Sequence, residues 1–128
     1  MITAGEIRVE RSGSDQASFE AVFGLLLELH RAVGIAPLNP DKTAKTCYHV
    51  LCEGMTFVAW SEHGEPVGTL GLVEAELYYA DVTYLQDKWF YVKSEWRGRA
   101  GVKLLLAARE ECERLGKVGI IDDTNQCG

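Results

Sequence analysis

The chain has 128 residues, which is the size of one domain with its own core. Hydrophobic residues make up 47% and charged residues 25%, a globular composition that excludes a disordered chain. Thirteen lysines and arginines against nineteen aspartates and glutamates give a net charge of -6, which argues against nucleic-acid binding because that needs a basic field. We therefore expect a single domain over residues 1–128 and no nucleic-acid partner.

Neither a membrane span nor a metal site is predicted. The sequence has no run of about 18 apolar residues and no apolar stretch typical of a signal peptide at its start. The four cysteines form no CxxC pair, so we expect reduced thiols in a cytoplasmic protein. Cys47, His49 and Cys52 are close in sequence, but helical spacing would point them in different directions.

The first part of the chain predicts a strand and two helices. Residues 6–11 alternate polar and apolar side chains, as in a short strand. Apolar residues then recur every three or four positions over residues 15–33, which predicts a helix with one buried face. Asn39 followed by Pro40 is typical of a helix start, and this second helix is expected to end at residue 53.

The second part of the chain predicts three consecutive strands, a helix and a last strand. The strands are residues 55–60, 67–77, 84–93 and 118–121, and the helix carries an apolar stripe of Val102, Leu105, Ala108, Cys112 and Leu115. The order β-α-α-β-β-β-α-β predicts an α/β (α+β) fold, with a mixed central sheet and helices on both faces. The last two strands, joined through a helix, should be parallel.

Residues 90–106 (FYVKSEWRGRAGVKLLL) join a strand to a helix through a loop of small and basic residues. A helix N-terminus carries a partial positive charge, and small residues let backbone amides approach a ligand closely. Arg97, Arg99 and Lys103 add charge in a segment, residues 88–117, with eight basic and four acidic residues. These features predict a pyrophosphate site, with a plain surface turn as the alternative.

Residues 92–102 (VKSEWRGRAGV) resemble the signature of the GNAT superfamily of N-acetyltransferases, in which valine, glutamate, an aromatic residue and Arg-Gly precede further small residues. The following LLLAAREECERLG and the element order from residue 6 to about 125 are also similar. The second and third loop glycines of the family fall on Ala100 and Val102. The family's next helix and strands would lie beyond Gly128, so we expect a GNAT-like fold lacking them.

The resemblance implies an acetyl-CoA-dependent N-acetyltransferase that moves an acetyl group directly to a small-molecule or peptide amine, without a metal. Main-chain groups of Phe90, Tyr91 and Val92 would bind the pantetheine arm of the coenzyme where two parallel strands separate. The pyrophosphate would be bound by the loop and the first helical turn, which comprise Arg97, Gly98, Arg99, Ala100, Gly101, Val102 and Lys103.

A carboxylate is expected to take a proton from the acceptor, because a free amine is mostly protonated at neutral pH. Asp87 and Glu76 are the main candidates, with Glu74 beside them, and solvated strand carboxylates are the alternative. Strand alternation would place Asp87, Trp89 and Tyr91 on one face of the sheet. Tyr91 is the candidate proton donor to the departing thiolate, or a wall of the acceptor pocket, within an expected cluster of Tyr78, Tyr79, Tyr84 and Tyr91.

Two other functions fit the same pattern. The chain could be a non-catalytic acyl-CoA-binding protein that keeps the GNAT-like fold, or an adaptor recognised through its surface. For an enzyme, acidic residues outside the loop favour a cationic acceptor such as an amino sugar, a polyamine or a lysine side chain.

A homodimer through the C-terminal edge strand is also expected. Residues 118–121 (VGII) are apolar and would leave unpaired backbone groups at the sheet edge, and such edges pair with other chains. The alternative is a monomer whose tail folds back over this edge.

Overall fold

The computed structural model describes residues 6–116 and the strand at residues 119–120. Over these residues the order of elements is the predicted one. They are β1 (Arg8–Ser12), α1 (Gln16–Val33), α2 (Pro40–Glu53), β2 (Met55–Trp60), β3 (Pro66–Glu76), β4 (Thr83–Val92), a single 3-10 turn (Ser94–Trp96), α3 (Arg99–Leu115) and β5 (Gly119–Ile120). The other residues of the predicted last strand, 118 and 121, lie outside the described residues, so the edge-strand homodimer stays a prediction.

Local hydrogen bonds explain where α1 and α2 begin. The Asp15 carboxylate accepts a hydrogen bond from the backbone N–H of Ser18 at 3.1 Å. The Asn39 side chain accepts one from the N–H of Lys42 at 3.0 Å, and Pro40 occupies the first helical position. These caps depend only on neighbouring residues, so the predicted helix starts are confirmed.

The five strands form one mixed sheet in the order β1-β2-β3-β4-β5. The pairs β1–β2, β2–β3 and β3–β4 are antiparallel, and the pair β4–β5 is parallel. The predicted mixed sheet with a parallel last pair is confirmed.

Each face of the sheet carries a layer of helix. On one face α3 covers a core that includes Phe57, Leu70, Phe90, Leu104 and Ala108. On the other face α1 and α2 cover a core that includes Val22, Cys47, Val50, Val58 and Trp89. The predicted arrangement of helices on both faces is therefore confirmed.

The buried face of α3 differs from the predicted stripe. Buried positions recur every four residues, at Ala100, Leu104, Ala108 and Cys112, whereas Val102, Leu105 and Leu115 of the predicted stripe are exposed. Two alanines in the buried row let the helix lie close to the sheet. Leu104 also packs over Gly68, where a Cβ atom would lie 3.2 Å from Leu104 Cδ1. The buried face of α3 is therefore the one that can lie close to the sheet, and not the one with the larger apolar side chains.

A β-bulge at Lys88 changes which face the residues of β4 occupy. Gly71 pairs with Trp89 and the next residue, Leu72, pairs with Asp87, so Lys88 has no partner on β3. Opposed residues of antiparallel strands share a face. Asp87 therefore lies with Leu72 on the α3 face, while Trp89 packs on the α1/α2 face. The prediction that Asp87 and Trp89 share a face is wrong, because a period-two pattern cannot reveal an extra residue.

The Trp89 indole beyond the bulge is fixed by packing and by a hydrogen bond. Its ring lies over Gly71, where an added Cβ would overlap the indole. Its Nε1–H donates to Thr69 Oγ1 at 3.2 Å, and the Thr69 hydroxyl donates to the carbonyl of Phe57 at 3.0 Å. Since these partners lie in the sheet, the ring cannot move away without breaking the chain of hydrogen bonds.

Replacing Gly71 with alanine should destabilise the protein. The new methyl group would overlap the Trp89 ring, and such overpacking costs about 1–3 kcal/mol. The matched control is Gly24→Ala in the middle of α1, where an added Cβ meets nothing within 4 Å, and which should stabilise by about 0.5–1 kcal/mol. Urea denaturation measures both. A Gly71→Ala protein as stable as wild type would mean that the indole is not fixed.

Glu111 connects α3 to β1. Its Oε2 lies 2.7 Å from Arg11 Nη1 on β1 and 2.7 Å from Arg114 Nη2 on its own helix. The hydrogen bond from Arg114 and the weaker one from Arg11 outweigh the opposing effect of burial, and together they lower the pKa of Glu111 to about 2. Because the charged form is the stabilised one, this link holds only while Glu111 is ionised.

The stability of a Glu111→Gln variant should differ from wild type in a pH-dependent way. A pKa lowered from 4.5 to about 2 stabilises the fold fully above the unfolded value, and this stabilisation is lost as the pH falls through the folded value. The variant should therefore be less stable than wild type at pH 7, and the difference should shrink between about pH 4.5 and 2. Urea denaturation across this range tests it, with Glu110→Gln on the exposed side of α3 as the control. A difference that does not change with pH would contradict the ionic link.

Candidate active site

The described pairing between β4 and β5 lies just before the bulge. It joins Leu85 with Gly119 and Gln86 with Ile120. From Asp87 to Val92, β4 has no pairing on this side among the described residues. This stretch of β4 and the loop to α3 that follows it form the edge of the candidate cleft.

The hydrogen-bond alternation in β4 identifies the main-chain groups that face this cleft. The amide of Lys93 donates to the carbonyl of Val67 at 2.9 Å, which makes these two residues a hydrogen-bonded pair. Such pairs alternate along antiparallel strands, so Tyr91 bonds to Thr69, whereas the main-chain groups of Phe90 and Val92 point away from β3. Of the three residues predicted to bind a pantetheine arm, Phe90 and Val92 therefore present their amides to the cleft and Tyr91 does not.

The loop after β4 ends at a glycine that its backbone requires. Gly98 has φ +90° and ψ -52°, a conformation that side chains disfavour. Helix α3 begins directly after it at Arg99. No side chain among the described residues caps α3, and its first turn contains no acidic residue. The first amides of α3 and the positive end of its dipole are therefore available to an anion.

The three predicted basic residues gather at this helix start, and each makes a contact within the protein. Arg97 Nε donates to the carbonyl of Val92 at 3.2 Å, and Lys103 Nζ donates to the carbonyl of Ile7 at 3.2 Å. The Arg99 guanidinium lies 4.9 Å from the centre of the Trp96 ring, as in a cation–π contact. Arg99 and Lys103 line a cavity of about 530 Å³ together with Gly98 and Val102. The predicted Ala100 is buried beneath this site.

Asp87 is the candidate base that the structure brings to the cleft. It is 3% exposed and lies next to the bulge, directly after the last residue of β4 with a described partner on β5. Glu74 and Glu76 share its face but lie opposite Leu85 and Thr83 and are exposed. At about 3.3 Å per residue, Glu76 is roughly 13 Å along the strand from the partner of Asp87.

Tyr91 is held on the opposite face by a residue that the sequence reasoning missed. The Tyr91 hydroxyl donates to Glu28 Oε1 at 3.2 Å, and Lys93 Nζ lies 3.5 Å from Glu28 Oε2 and 3.3 Å from Glu65 Oε2. Burial lowers the pKa of Lys93, but hydrogen bonds and charges from Glu65 and Glu28 outweigh burial and raise it. In the sequence, Glu28 could have been recognised as a carboxylate between Leu25 and Leu29, on the face of α1 that turns towards the sheet.

The expected cluster of tyrosines does not form. Tyr78 and Tyr79 lie in the turn between β3 and β4, where their rings stack edge to face at 5.1 Å and are exposed. Tyr91 lies at the other end of β4, about 25 Å away at the usual rise of an extended strand. These two exposed tyrosines are therefore remote from the cleft.

The cysteine and histidine side chains of α2 point in different directions. Cys47 is buried, and burial raises the pKa of its thiol to about 12, whereas His49 and Cys52 are exposed. Within residues 6–116, no group of three or more histidine, cysteine, aspartate or glutamate side chains could hold a metal ion. No helix in the described part of the chain is long and apolar enough to cross a membrane.

Comparison with known proteins identifies the fold. No family model and no curated protein matches the sequence. Among solved structures, a ribosomal-protein-alanine N-acetyltransferase from Brucella melitensis biovar Abortus 2308 superposes with a TM-score of 0.71 at 17% identity, covering 91% of this chain and 78% of that one. The chain has a GNAT-type fold. The fold that the 92–102 motif implied is thus confirmed.

Two aminoglycoside acetyltransferases have the same fold. One, solved in complex with CoA, gives a TM-score of 0.70 at 15% identity, with 95% of this chain and 80% of that chain covered. The other comes from an uncultured soil metagenomic sample and was solved in complex with sisomicin. It gives a TM-score of 0.64 at 20% identity and covers 91% of this chain and 76% of that one. The acceptors of these GNAT-type proteins differ, so the fold leaves the acceptor of this chain open.

Proposed function

We propose that the protein is an acetyl-CoA-dependent N-acetyltransferase. The observation that carries the proposal is the continuity between the main-chain groups of β4 that point away from β3 and the uncapped start of α3. Main-chain groups of Phe90 and Val92 lead directly to a positively charged helix end. This sequence of groups suits a coenzyme with amides along its arm and phosphates at its end. A GNAT-type neighbour was solved in complex with CoA, which supports a coenzyme of this class.

The first turn of α3 would bind the pyrophosphate. Its amides would donate to phosphate oxygens, and the Arg99 and Lys103 side chains would add charge-assisted hydrogen bonds. Gly98 permits the backbone turn that directs these amides outward. Arg97 would have a structural role instead, because its hydrogen bond to the carbonyl of Val92 joins the loop to β4.

The acetyl group would be transferred where β4 leaves β5. The amide of Phe90 would polarise the thioester carbonyl as charge develops on its oxygen. The amine nitrogen bonds to the carbonyl carbon, the C–S bond breaks, and the thiolate leaves with the electron pair. Asp87, on the α3 face next to the bulge, would receive the proton of the amine through water beside β4, and that proton balances the departing thiolate. Tyr91 would form part of the cleft wall, since its hydroxyl is held by Glu28.

Replacing Arg99 with glutamate should weaken CoA binding. Charge-assisted hydrogen bonds contribute about 1.5–3 kcal/mol, so the dissociation constant should rise by about 10- to 100-fold. Titration calorimetry with CoA measures it, with Arg109→Glu farther along α3 as the control for added negative charge. Arg99 is preferred to Lys103 because Lys103 also holds the carbonyl of Ile7. Equal affinity in the Arg99 variant and wild type would place the phosphates elsewhere.

Replacing Asp87 with asparagine should lower turnover without changing CoA affinity. Loss of a general base reduces kcat by about 10²- to 10⁴-fold, and the base acts on the amine and not on the coenzyme. Thiol release measures kcat, and calorimetry measures the affinity for CoA. Glu76→Gln serves for comparison, because Glu76 lies farther along the same face.

The outcomes separate the alternatives for this site. If Asp87→Asn keeps the wild-type kcat while Glu76→Gln lowers it, Glu76 would be the base in place of Asp87. The proposed reaction would be unchanged. Wild-type protein that binds acetyl-CoA but releases no thiol with any amine would be a non-catalytic acyl-CoA-binding protein.

A further inference from the structure

A groove lies on the α1/α2 side of the sheet, beside the bulge in β4. Its volume is about 470 Å³, within the range of small-molecule sites. Trp89 forms the floor, the last turns of α1 form one wall, and the α1–α2 loop with the first turns of α2 forms the other. The apolar part of its lining consists mainly of Leu26, Leu29, Ile35, Pro37, Leu38 and Trp89.

The walls of this groove are held in place by hydrogen bonds. The floor is fixed because Trp89 donates to Thr69 and packs on Gly71. The His30 Nε2–H donates to the carbonyl of Ala36 at 2.7 Å, which ties the loop to α1. The Asn39 cap fixes the start of α2. The groove is therefore formed before a ligand binds.

The groove reaches the bulged stretch of β4. Lys88 and Trp89 line it, and the next residue, Phe90, turns its main-chain groups towards the candidate cleft. A molecule in the groove would thus lie beside the proposed thioester position, on the side away from α3. This is the location that an acceptor amine requires.

The charges around the groove are positive, although the protein is acidic. Its charged lining residues are Lys42 and Lys88, and the lining found among the described residues contains no aspartate or glutamate. Asp41, next to Lys42, is exposed outside the lining. The N-terminal end of α2 and the C-terminal end of α1 both border the groove, so their opposite partial charges offset each other and the two lysines set its sign. With a net charge of -6 for the chain, this local reversal of sign favours an anionic group.

We propose that this groove binds the acceptor, and that the acceptor is a small amine with an apolar body and a carboxylate, such as an aromatic amino acid. The inference rests on the proposed acetyltransferase function. The apolar body would pack on Trp89, and the carboxylate would pair with Lys42 and Lys88. A positive lining also favours the neutral, nucleophilic form of the amine. The cationic acceptors expected from overall acidity, polyamines and amino sugars, would be repelled.

The test compares matched ligands and matched variants in the whole protein. Tryptophan has the carboxylate and tryptamine lacks it, while spermidine is a polycation of similar reach. Calorimetry in the presence of CoA measures binding, and acetyl-CoA consumption with each amine measures transfer. Lys42→Glu and Lys88→Glu reverse the charges of the groove. Lys45→Glu is the control, because Lys45 lies on the same helix but lines a different surface.

We expect tryptophan to bind and to react better than tryptamine, and spermidine to do neither. Each groove variant should weaken tryptophan binding by about tenfold or more and leave tryptamine unchanged or improved, whereas Lys45→Glu should behave as wild type. If spermidine binds more strongly or is acetylated faster than tryptophan, the proposed acceptor class is wrong, but the proposed acetyltransferase function is not. Tryptophan binding that needs the two lysines, without transfer to any amine, would uphold the groove and reject the transferase. Equal tryptophan binding by all variants would overturn the groove.

Discussion

One extra residue in β4 sets the geometry of the whole site. At the bulge β4 has one residue more than the stretch of β3 that it pairs with, because Lys88 has no partner there. Asp87 and Trp89 therefore lie on opposite faces of the sheet, although they are two residues apart. Asp87 is turned to the α3 face and Trp89 to the α1/α2 face, and the described pairing with β5 lies just before this point. The buried carboxylate and the groove floor therefore share one cause.

The rest of the sheet is built to hold that irregularity. Glycine at position 71 leaves room for the indole beyond the bulge, and glycine at position 68 lets Leu104 of α3 approach β3 closely. The Trp89–Thr69–Phe57 hydrogen bonds connect the bulged strand through β3 to β2. A distortion that is supported on both faces can be kept rigid, which a site that aligns two reactants requires.

Sequence reasoning succeeded where structure is determined locally. The starts of α1 and α2 follow from Asp15 and Asn39, and the GNAT-type fold follows from the 92–102 motif and the element order. It failed at the bulge, at the buried face of α3 and at Glu28, because each depends on residues far apart in sequence. For the same reason it placed Tyr91 with Phe90 and Val92, although only the pairing register tells which amides face outward.

In the proposed function the sheet would also act as a partition between two reactants. The helix start that suits phosphates packs on one face, and the Trp89 groove opens on the other. Coenzyme and acceptor would then occupy separate entrances and meet only through the gap between β4 and β5. Neither molecule would have to pass the other, so either order of arrival is sterically open. A two-entrance layout of this kind predisposes a protein to a ternary complex rather than to exchange of one ligand for the next.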